Sequence, residues 1–261
     1  MLQFGKIAIV GAGNTAYTLC KMLKNKGIEP YCIYVRDVKK VDKVKDELCV
    51  DVVSDYKKVV KSDLTIIAVN DDSITDVALH LIDYKGLVLH TSGTKPSDVL
   101  SALTRYGVFY PLQTMSKNRE IVFDEVPLLI YTNSKEDTAK LFDFASLFSK
   151  KVIECDDAQR KAIHLAAVYV SNFTNVMIEI GDKLLKDKGM SVAIMENLVN
   201  EMMKKCFDTS PQKAITGPAK RKDYSTIEEH EKMLSNYPEE KDIYKILTKY
   251  IIENYNNNEE L

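Results

Sequence analysis

The sequence predicts an α/β domain built on a mostly parallel sheet, followed by an all-α domain. Three observations carry this expectation. Short apolar runs alternate with helical patterns as far as Cys155, which is the signature of parallel strands joined by crossover helices. A glycine-rich turn, Gly11-Ala12-Gly13-Asn14-Thr15-Ala16, separates the first run from the first helical pattern. After Cys155 the apolar residues recur only at helical spacing.

Taken in order, the first run is Lys6–Val10, ending at Gly11. Asn14 to Lys26 reads as a helix, with Ala16, Leu19, Cys20 and Leu23 at spacings of three and four. Gly27 closes it. Further runs lie at Tyr31–Val35, Leu64–Val69, Leu87–His90 and Val108–Tyr110. Runs of this kind, bounded by turn residues, suit strands buried on both faces. Two more are expected at Leu128–Tyr131 and Lys151–Cys155, with a helix from Lys135 to Phe148 between them. Asp156 to Lys188 reads as one long amphipathic helix, capped by Asp156 or Asp157 and stopped near Gly189. Ser191 to Cys206 is a second helix. Phe207 to Tyr224 holds Pro211, Gly217 and Pro218 and reads as a loop or broken helix. Ser225-Thr-Ile-Glu228 fits a capping box that opens a third helix. Asp242 to Asn254 is a fourth, and the polar tail 256–260 is expected to fray. The chain therefore divides into domains at 1–155 and 156–261.

The composition excludes several classes. Lys plus Arg number 36 against 38 Asp plus Glu, a net charge of −2. That disfavours a nucleic-acid or anionic-membrane binder, which needs a basic excess. The 45% hydrophobic content disfavours disorder. The five cysteines are odd in number and form no C-x-x-C pair, so a disulfide framework or zinc site is not expected, and no metal is. The start of the chain shows no signal-peptide pattern. The stretch from Ala162 to Gly181 carries His164, Ser171, Asn172, Asn175 and Glu179, which reads as too polar for a membrane span. The expectation is a cytoplasmic protein with no membrane or nucleic-acid partner.

The glycine turn has the spacing of a dinucleotide-binding fingerprint, with a strand before it and a helix after it. Gly11 allows the tight turn, Gly13 lets backbone approach a pyrophosphate, and Ala16 keeps the helix close to the sheet. The pyrophosphate would sit on the free N–H groups of Ala12 to Ala16 at the helix start. The first domain is thus expected to be Rossmann-type. At the end of the second strand stands Arg36, suited to gripping a 2′-phosphate and so favouring NADP. Asp37 keeps open the alternative of a ribose contact and NAD. Loops at the carboxyl ends of the strands line the ligand crevice in such folds. Val69, Asn70 and Ser92 are therefore cofactor candidates, and Gln113 a substrate contact or a plain turn residue. Asp71 and Asp72 read equally well as helix caps.

Lys161, His164, Asn172 and Asn175 fall on one stripe of the long helix. At about 100° per residue, positions 164, 168, 172 and 175 lie within roughly 80°, and Lys161 about 60° from His164. His164 is the candidate general acid/base, since an imidazole exchanges protons near neutrality. Lys161 is the second choice, and Asn172 and Asn175 would orient the reacting group. Arg221, after the Gly217-Pro218 turn, would hold an anionic end of the substrate or pair with Asp223. His230 would face solvent or join this polar group.

These motifs, in this order, resemble a family. Gly11-Ala-Gly-Asn-x-Ala16, His90-Thr-Ser-Gly93, Pro111-Leu-Gln-Thr114, Lys161-Ala-x-His164 with Ser171-Asn-Phe-x-Asn175, and Thr216-Gly-Pro-x-x-Arg-x-Asp223 look like the Rossmann-like NADP oxidoreductases with a C-terminal helical domain of unknown function. That family is similar in architecture to 6-phosphogluconate-dehydrogenase-like enzymes, including pyrroline-5-carboxylate and ketopantoate reductases. The resemblance implies NADP(H) as cofactor and a homodimer through the helical half. Ketopantoate and hydroxyacid reductases place a catalytic Lys where this chain has His164, and Val168 replaces their middle Asn.

The functional expectation is an NADP-dependent oxidoreductase. It would transfer a hydride between nicotinamide and a small, anionic carbonyl, imine or hydroxy-acid substrate in the interdomain cleft. The alternatives are an NADP(H)-responsive regulatory or sensor protein without turnover, and a dehydrogenase of the prephenate or arogenate type.

Overall fold

The alternating first half folds as a sheet of eight strands: β1 (Ile7–Val10), β2 (Cys32–Tyr34), β3 (Val52–Val53), β4 (Leu64–Ile67), β5 (Leu87–His90), β6 (Tyr106–Pro111), β7 (Leu128–Thr132) and β8 (Val152–Glu154). Their order is β3-β2-β1-β4-β5-β6-β7-β8. Every neighbouring pair is parallel except β6 with β7, which is antiparallel. The computed structural model describes residues 3–255, and the tail at 256–260 lies outside the described residues. The pairing registers Val10 with Tyr34 and Ile67, Ile67 with His90, and His90 with Val108. The carboxyl ends of β2, β1, β4, β5 and β6 therefore form one edge.

β1, β4 and β5 are buried at every position, which explains their unbroken apolar runs. Alternate side chains enter two cores. On one face Ile7, Ile9, Ile66 and Leu89 pack with Leu19 and Leu23 of α1 (Asn14–Asn25). Side chains from farther along the chain join them. On the other face Ala8, Val10, Ile67 and Val88 meet Ile74, Val77 and Leu100. The remaining helices here are α2 (Val41–Leu48), α3 (Tyr56–Val59), α4 (Ile74–Leu79) and α5 (Lys135–Ser146). β3 escaped the sequence reading because two residues on an edge are too short to show a period.

The long helix begins as α6 (Asp157–Ala167) with Asp156 as its cap. The Asp156 carboxylate accepts from the Gln159 amide at 2.8 Å, and Gln159 Oε1 accepts from the Asp156 amide at 3.0 Å. The sequence expectation of one continuous α-helix does not hold. Val168–Phe173 form a π-helical segment before α7 (Thr174–Lys186). A π turn takes an extra residue, so the 100° spacing used for the polar stripe does not carry across it. By packing, the chain divides into one unit up to Val170 and a second from Ser171. The texture of the sequence changes earlier, between β8 and α6.

The second unit holds α7, α8 (Glu196–Asp208), the short α9 (Pro211–Ala214) and α10 (Pro218–Arg221), α11 (Tyr224–Met233) and α12 (Pro238–Tyr255). Two helix starts differ from expectation. Asp223, not Ser225, caps α11, its carboxylate accepting from the Thr226 amide and hydroxyl at 3.2 and 2.8 Å. An aspartate outcompetes serine here because its charge also suits the positive helix end. α12 opens at Pro238 rather than Asp242, since proline is tolerated at the first helical position.

Among the described residues from 171 onward, the buried apolar side chains are Ala219, Ile227 and Leu234. α7 and α8 bury none. Leu198 is 65% exposed, Ile194 64% and Phe207 82%. The helical stretch Asp157–Lys186 also corrects the sequence reading. By length and mean hydropathy it is apolar enough to cross a membrane, and none of its most apolar window is buried in the chain. The polar residues are diluted there by Ala, Val and Ile on the remaining faces.

Candidate active site

The glycine turn joins the end of β1 to α1. Gly11 has φ +131°, and a Cβ on it would stand 2.2 Å from the Ala68 carbonyl oxygen, so glycine is required by the fold itself. Gly13 differs. It caps α1 with φ −83°, and a Cβ there would meet nothing within 4 Å. No side chain caps α1, which leaves the first-turn N–H groups facing an open space. This is the arrangement a pyrophosphate fits: unpaired donors, a positive helix end and no bulk in the way.

A cleft of about 600 Å³ opens from this turn, lined among others by Gly11, Ala12, Gly13, Arg36, Val69 and Asn70. These expected cofactor residues are thus brought together. Asn14, Thr15 and Ala16 form the first turn of α1 beside it. Arg36 is exposed and makes no ion pair among the described residues. Asp37 is engaged instead: its carboxylate accepts from the Lys39 amide at 3.1 Å and lies 3.8 Å from Lys40 Nζ. That use as a cap leaves Arg36 as the group free to meet a ligand.

The cleft also has residues that sequence reasoning missed. Lys43 and Lys117 line it, with Lys117 Nζ 3.8 Å from the centre of the Tyr17 ring. Tyr34 and Tyr56 form its aromatic wall, stacked at 4.0 Å, with His80 stacked behind Tyr56 at 4.7 Å. Tyr34 ends an apolar strand and could have been noted by position. Lys117 lies in the loop after β6, where no local spacing marks it.

Farther along the edge, the loop after β5 is tied down by a partly buried network. Ser92 Oγ donates to Asp71 Oδ2 at 2.9 Å and accepts from the Lys95 amide at 2.9 Å. Asp71 Oδ2 also accepts from Thr94 Oγ1 at 2.6 Å. Asp71 is therefore a partner of this loop rather than a helix cap, while exposed Asp72 pairs with Lys95 at 3.2 Å. His90 is fully buried and its Nδ1 accepts from the Ser92 amide at 3.1 Å. Burial, helped by the nearby Arg160 cation, pushes the His90 pKa down to about 4.

Arg160 on α6 is itself fully buried. Its Nη2 donates to the Lys95 carbonyl at 2.6 Å and to Asp157 Oδ1 at 2.8 Å. Asp157 Oδ2 accepts from the Ser97 amide and hydroxyl at 2.9 and 3.1 Å. Burial pushes the Asp157 carboxyl up, but the Ser97 and Arg160 hydrogen bonds hold it below the usual range. α6 is thereby stapled to the 91–97 loop.

One turn after Arg160 comes His164. It is half-buried, and its Nδ1 lies 3.0 Å from the Tyr110 hydroxyl at the end of β6. The rings meet edge-on, 6.0 Å between centres. The imidazole also sits directly over Gly93: a Cβ there would fall 2.5 Å from Nδ1. At the sequence level Tyr110 is only the end of a buried-strand run, since a tyrosine there has the same pattern whether it packs or reacts.

The other expected site residues are placed as follows. Lys161 is exposed, and its side chain makes no hydrogen bond or ion pair among the described residues. Gln113 is exposed, and its Oε1 accepts from its neighbour's Thr114 amide at 2.9 Å. Asn172, Asn175 and Arg221 are exposed residues of the second unit. Arg221 makes no ion pair with Asp223, whose carboxylate caps α11. His230 bonds the Tyr244 hydroxyl through Nδ1 at 3.0 Å and so does not simply face solvent.

A mostly parallel sheet with an uncapped glycine turn at its switch in strand order, and a basic cleft at its carboxyl edge, defines a dinucleotide-binding fold. Comparison with known proteins makes this specific. Residues 6–89 match the family model described as NADP oxidoreductase, coenzyme F420-dependent. Residues 126–251 match a domain of unknown function, DUF2520. A Bacteroides fragilis protein provisionally named an NADP oxidoreductase is 33% identical, with 97% of this chain and 100% of that one covered and a TM-score of 0.88. This chain belongs to that family of NADP oxidoreductases carrying the C-terminal domain of unknown function, and its cofactor is NADP(H). Two more distant structures share the fold. A 1-pyrroline-5-carboxylate reductase of Streptococcus pyogenes is 16% identical, covering 96% of this chain and 98% of its own, with a TM-score of 0.66. A reductive aminase of Aspergillus terreus in complex with NADPH and ethyl-5-oxohexanoate is 16% identical, covering 78% and 74%, with a TM-score of 0.62. No curated protein matches the chain.

Proposed function

We propose that this protein transfers a hydride between NADP(H) and a small carbonyl, imine or hydroxy-acid compound, with His164 as the group that moves the proton. The observation carrying this reading is the His164 imidazole, held over Gly93 on the strand edge that also bears the glycine turn. β5 lies two strands from β1, a separation of about 10 Å, which a dinucleotide spans. The pyrroline-5-carboxylate reductase and reductive aminase neighbours point to carbonyl and imine chemistry.

In this reading the N–H groups of the first turn of α1 hold the pyrophosphate, and Arg36 holds the 2′-phosphate. Bound NADPH supplies the hydride to the electrophilic carbon. His164 gives a proton to the carbonyl oxygen or imine nitrogen, leaving an alcohol or amine and NADP⁺. The ring regains its proton from solvent. Lys161, on the same helix, is the second donor to test.

The test is NADPH oxidation by purified protein across a panel of small carbonyl and imine compounds. His164→Ala should lower turnover by about 10²–10⁴-fold and leave NADPH affinity unchanged. Tight NADPH binding with no oxidation across the panel would favour a sensor. Unchanged turnover in His164→Ala would remove this residue from the chemistry.

The reading includes a homodimer through the second unit. Three buried apolar side chains among the described residues are a small core for a helical unit of this length. The exposed face of α7 and α8, with Val176, Met177, Leu198 and Met202, is the kind of surface a second copy covers.

A further inference from the structure

We infer that Tyr110 is the positioning residue of His164: its hydroxyl donates to Nδ1 and so keeps the ring proton on Nε2. The inference builds on the proposed role of His164, but it concerns the state of the ring rather than turnover. The two atoms lie 3.0 Å apart, a normal hydrogen-bond distance. Which one donates follows from counting partners. A phenol has one O–H to place, and a neutral imidazole has one donor and one acceptor nitrogen. Among the described residues the Tyr110 hydroxyl has no second hydrogen-bond partner. Were Nδ1 the donor, the hydrogen left without a protein acceptor would be the phenolic one, on a hydroxyl that burial desolvates, which costs free energy. With Tyr110 donating, the hydrogen left without a protein acceptor is the one on Nε2, an atom not sealed from solvent, where water or a substrate can accept it.

The surroundings hold this arrangement in place. Burial pushes the Tyr110 phenol up and the Asp71 carboxylate adds to this, with Arg160 opposing, so the hydroxyl keeps its proton. Gly93 leaves room for the ring, and Arg160 anchors the preceding turn of α6 to the 91–97 loop. The consequence is that Nε2 bears a hydrogen in both the charged and the neutral ring. A carbonyl oxygen or imine nitrogen would then meet a donor in either form of the ring.

The experiment is long-range ¹H–¹⁵N correlation spectroscopy on protein labelled at histidine. The chain has four histidines, and His164→Gln assigns the signal. Wild-type protein at alkaline pH should show His164 with Nε2 protonated and Nδ1 as acceptor. Tyr110→Phe should lose this single-tautomer pattern, while the signals of His80 and His230 stay in place and report an intact fold. A protonated Nδ1 in the wild type, or an unchanged His164 pattern in Tyr110→Phe, would overturn the inference. Neither result depends on turnover, so a failure of the catalytic reading is seen separately in the activity of His164→Ala.

Discussion

Gly93 and His164 are in contact that only a residue without a side chain permits. The nearest atom of the imidazole would be 2.5 Å from a Cβ at position 93, and the next, Cγ, 2.7 Å. Gly93→Ala must therefore displace the ring or the loop, at a cost of about 1–3 kcal/mol of stability. Turnover should fall at least about tenfold, with NADPH affinity retained. Stability and affinity measured side by side check this, and full activity in the variant would show that the ring position is not critical.

The two glycines of the turn should separate under mutation. Gly13→Ala places a methyl in open space at an ordinary φ, so folding should hold or gain about 0.4–1 kcal/mol. NADPH binding should nonetheless weaken about tenfold or more, because the methyl occupies the path of the pyrophosphate. Gly11→Ala should lose stability as well, since it clashes with the Ala68 carbonyl. Denaturant melts and fluorescence titration with NADPH distinguish the two.

Arg36→Ala should weaken NADPH binding by about 1.5–3 kcal/mol, the value of a charge-assisted contact, and change NADH binding little. Equal losses for both cofactors would place the 2′-phosphate elsewhere, with Lys43 and Lys117 next in line.

Buried His90 makes stability depend on pH. Its pKa is about 4 in the folded chain against about 6.5 when unfolded. Between these values the unfolded chain binds more protons, so stability is present above pH about 6.5 and is lost as pH falls toward 4. The gap corresponds to about 3 kcal/mol. Urea unfolding at intervals from pH 7.5 to 4 should show the decline, and His90→Asn should flatten it. An identical slope in the variant would assign the loss to another group.

Leu198→Glu should separate the proposed dimer. A carboxylate on that apolar face opposes its own copy and resists desolvation. Sedimentation should show the wild type at twice the 29.6 kDa chain mass and the variant at one. A monomeric wild type at micromolar concentration would reject the dimer.

Much of the nucleotide half was legible because backbone geometry leaves few choices there. Gly11 can hardly be anything else with φ +131° against a neighbouring strand, and the place of Arg36 in the cleft follows from its position after β2. What stayed hidden depends on distant pairing. Nothing near Tyr110 tells that a helix more than fifty residues later brings His164 to it. Arg160 looks like an ordinary helix arginine, yet it is fully buried because it serves the 91–97 loop. Asp37, left open as a ribose contact, turns out to cap a local turn, and Asp71, which read equally well as a cap, bonds the loop after β5: a local cap and a long-range partner need the same side chain. The π segment was invisible because its sequence, Val168 to Phe173, keeps an apolar texture that fits either kind of turn.

The thin interior of the second unit has a thermodynamic consequence. If its apolar face is covered only by another copy, folding of that half and association are a single equilibrium. No one melting temperature then describes the protein. The midpoint should climb with protein concentration, and dilution alone should loosen α7 and α8 while the sheet stays intact.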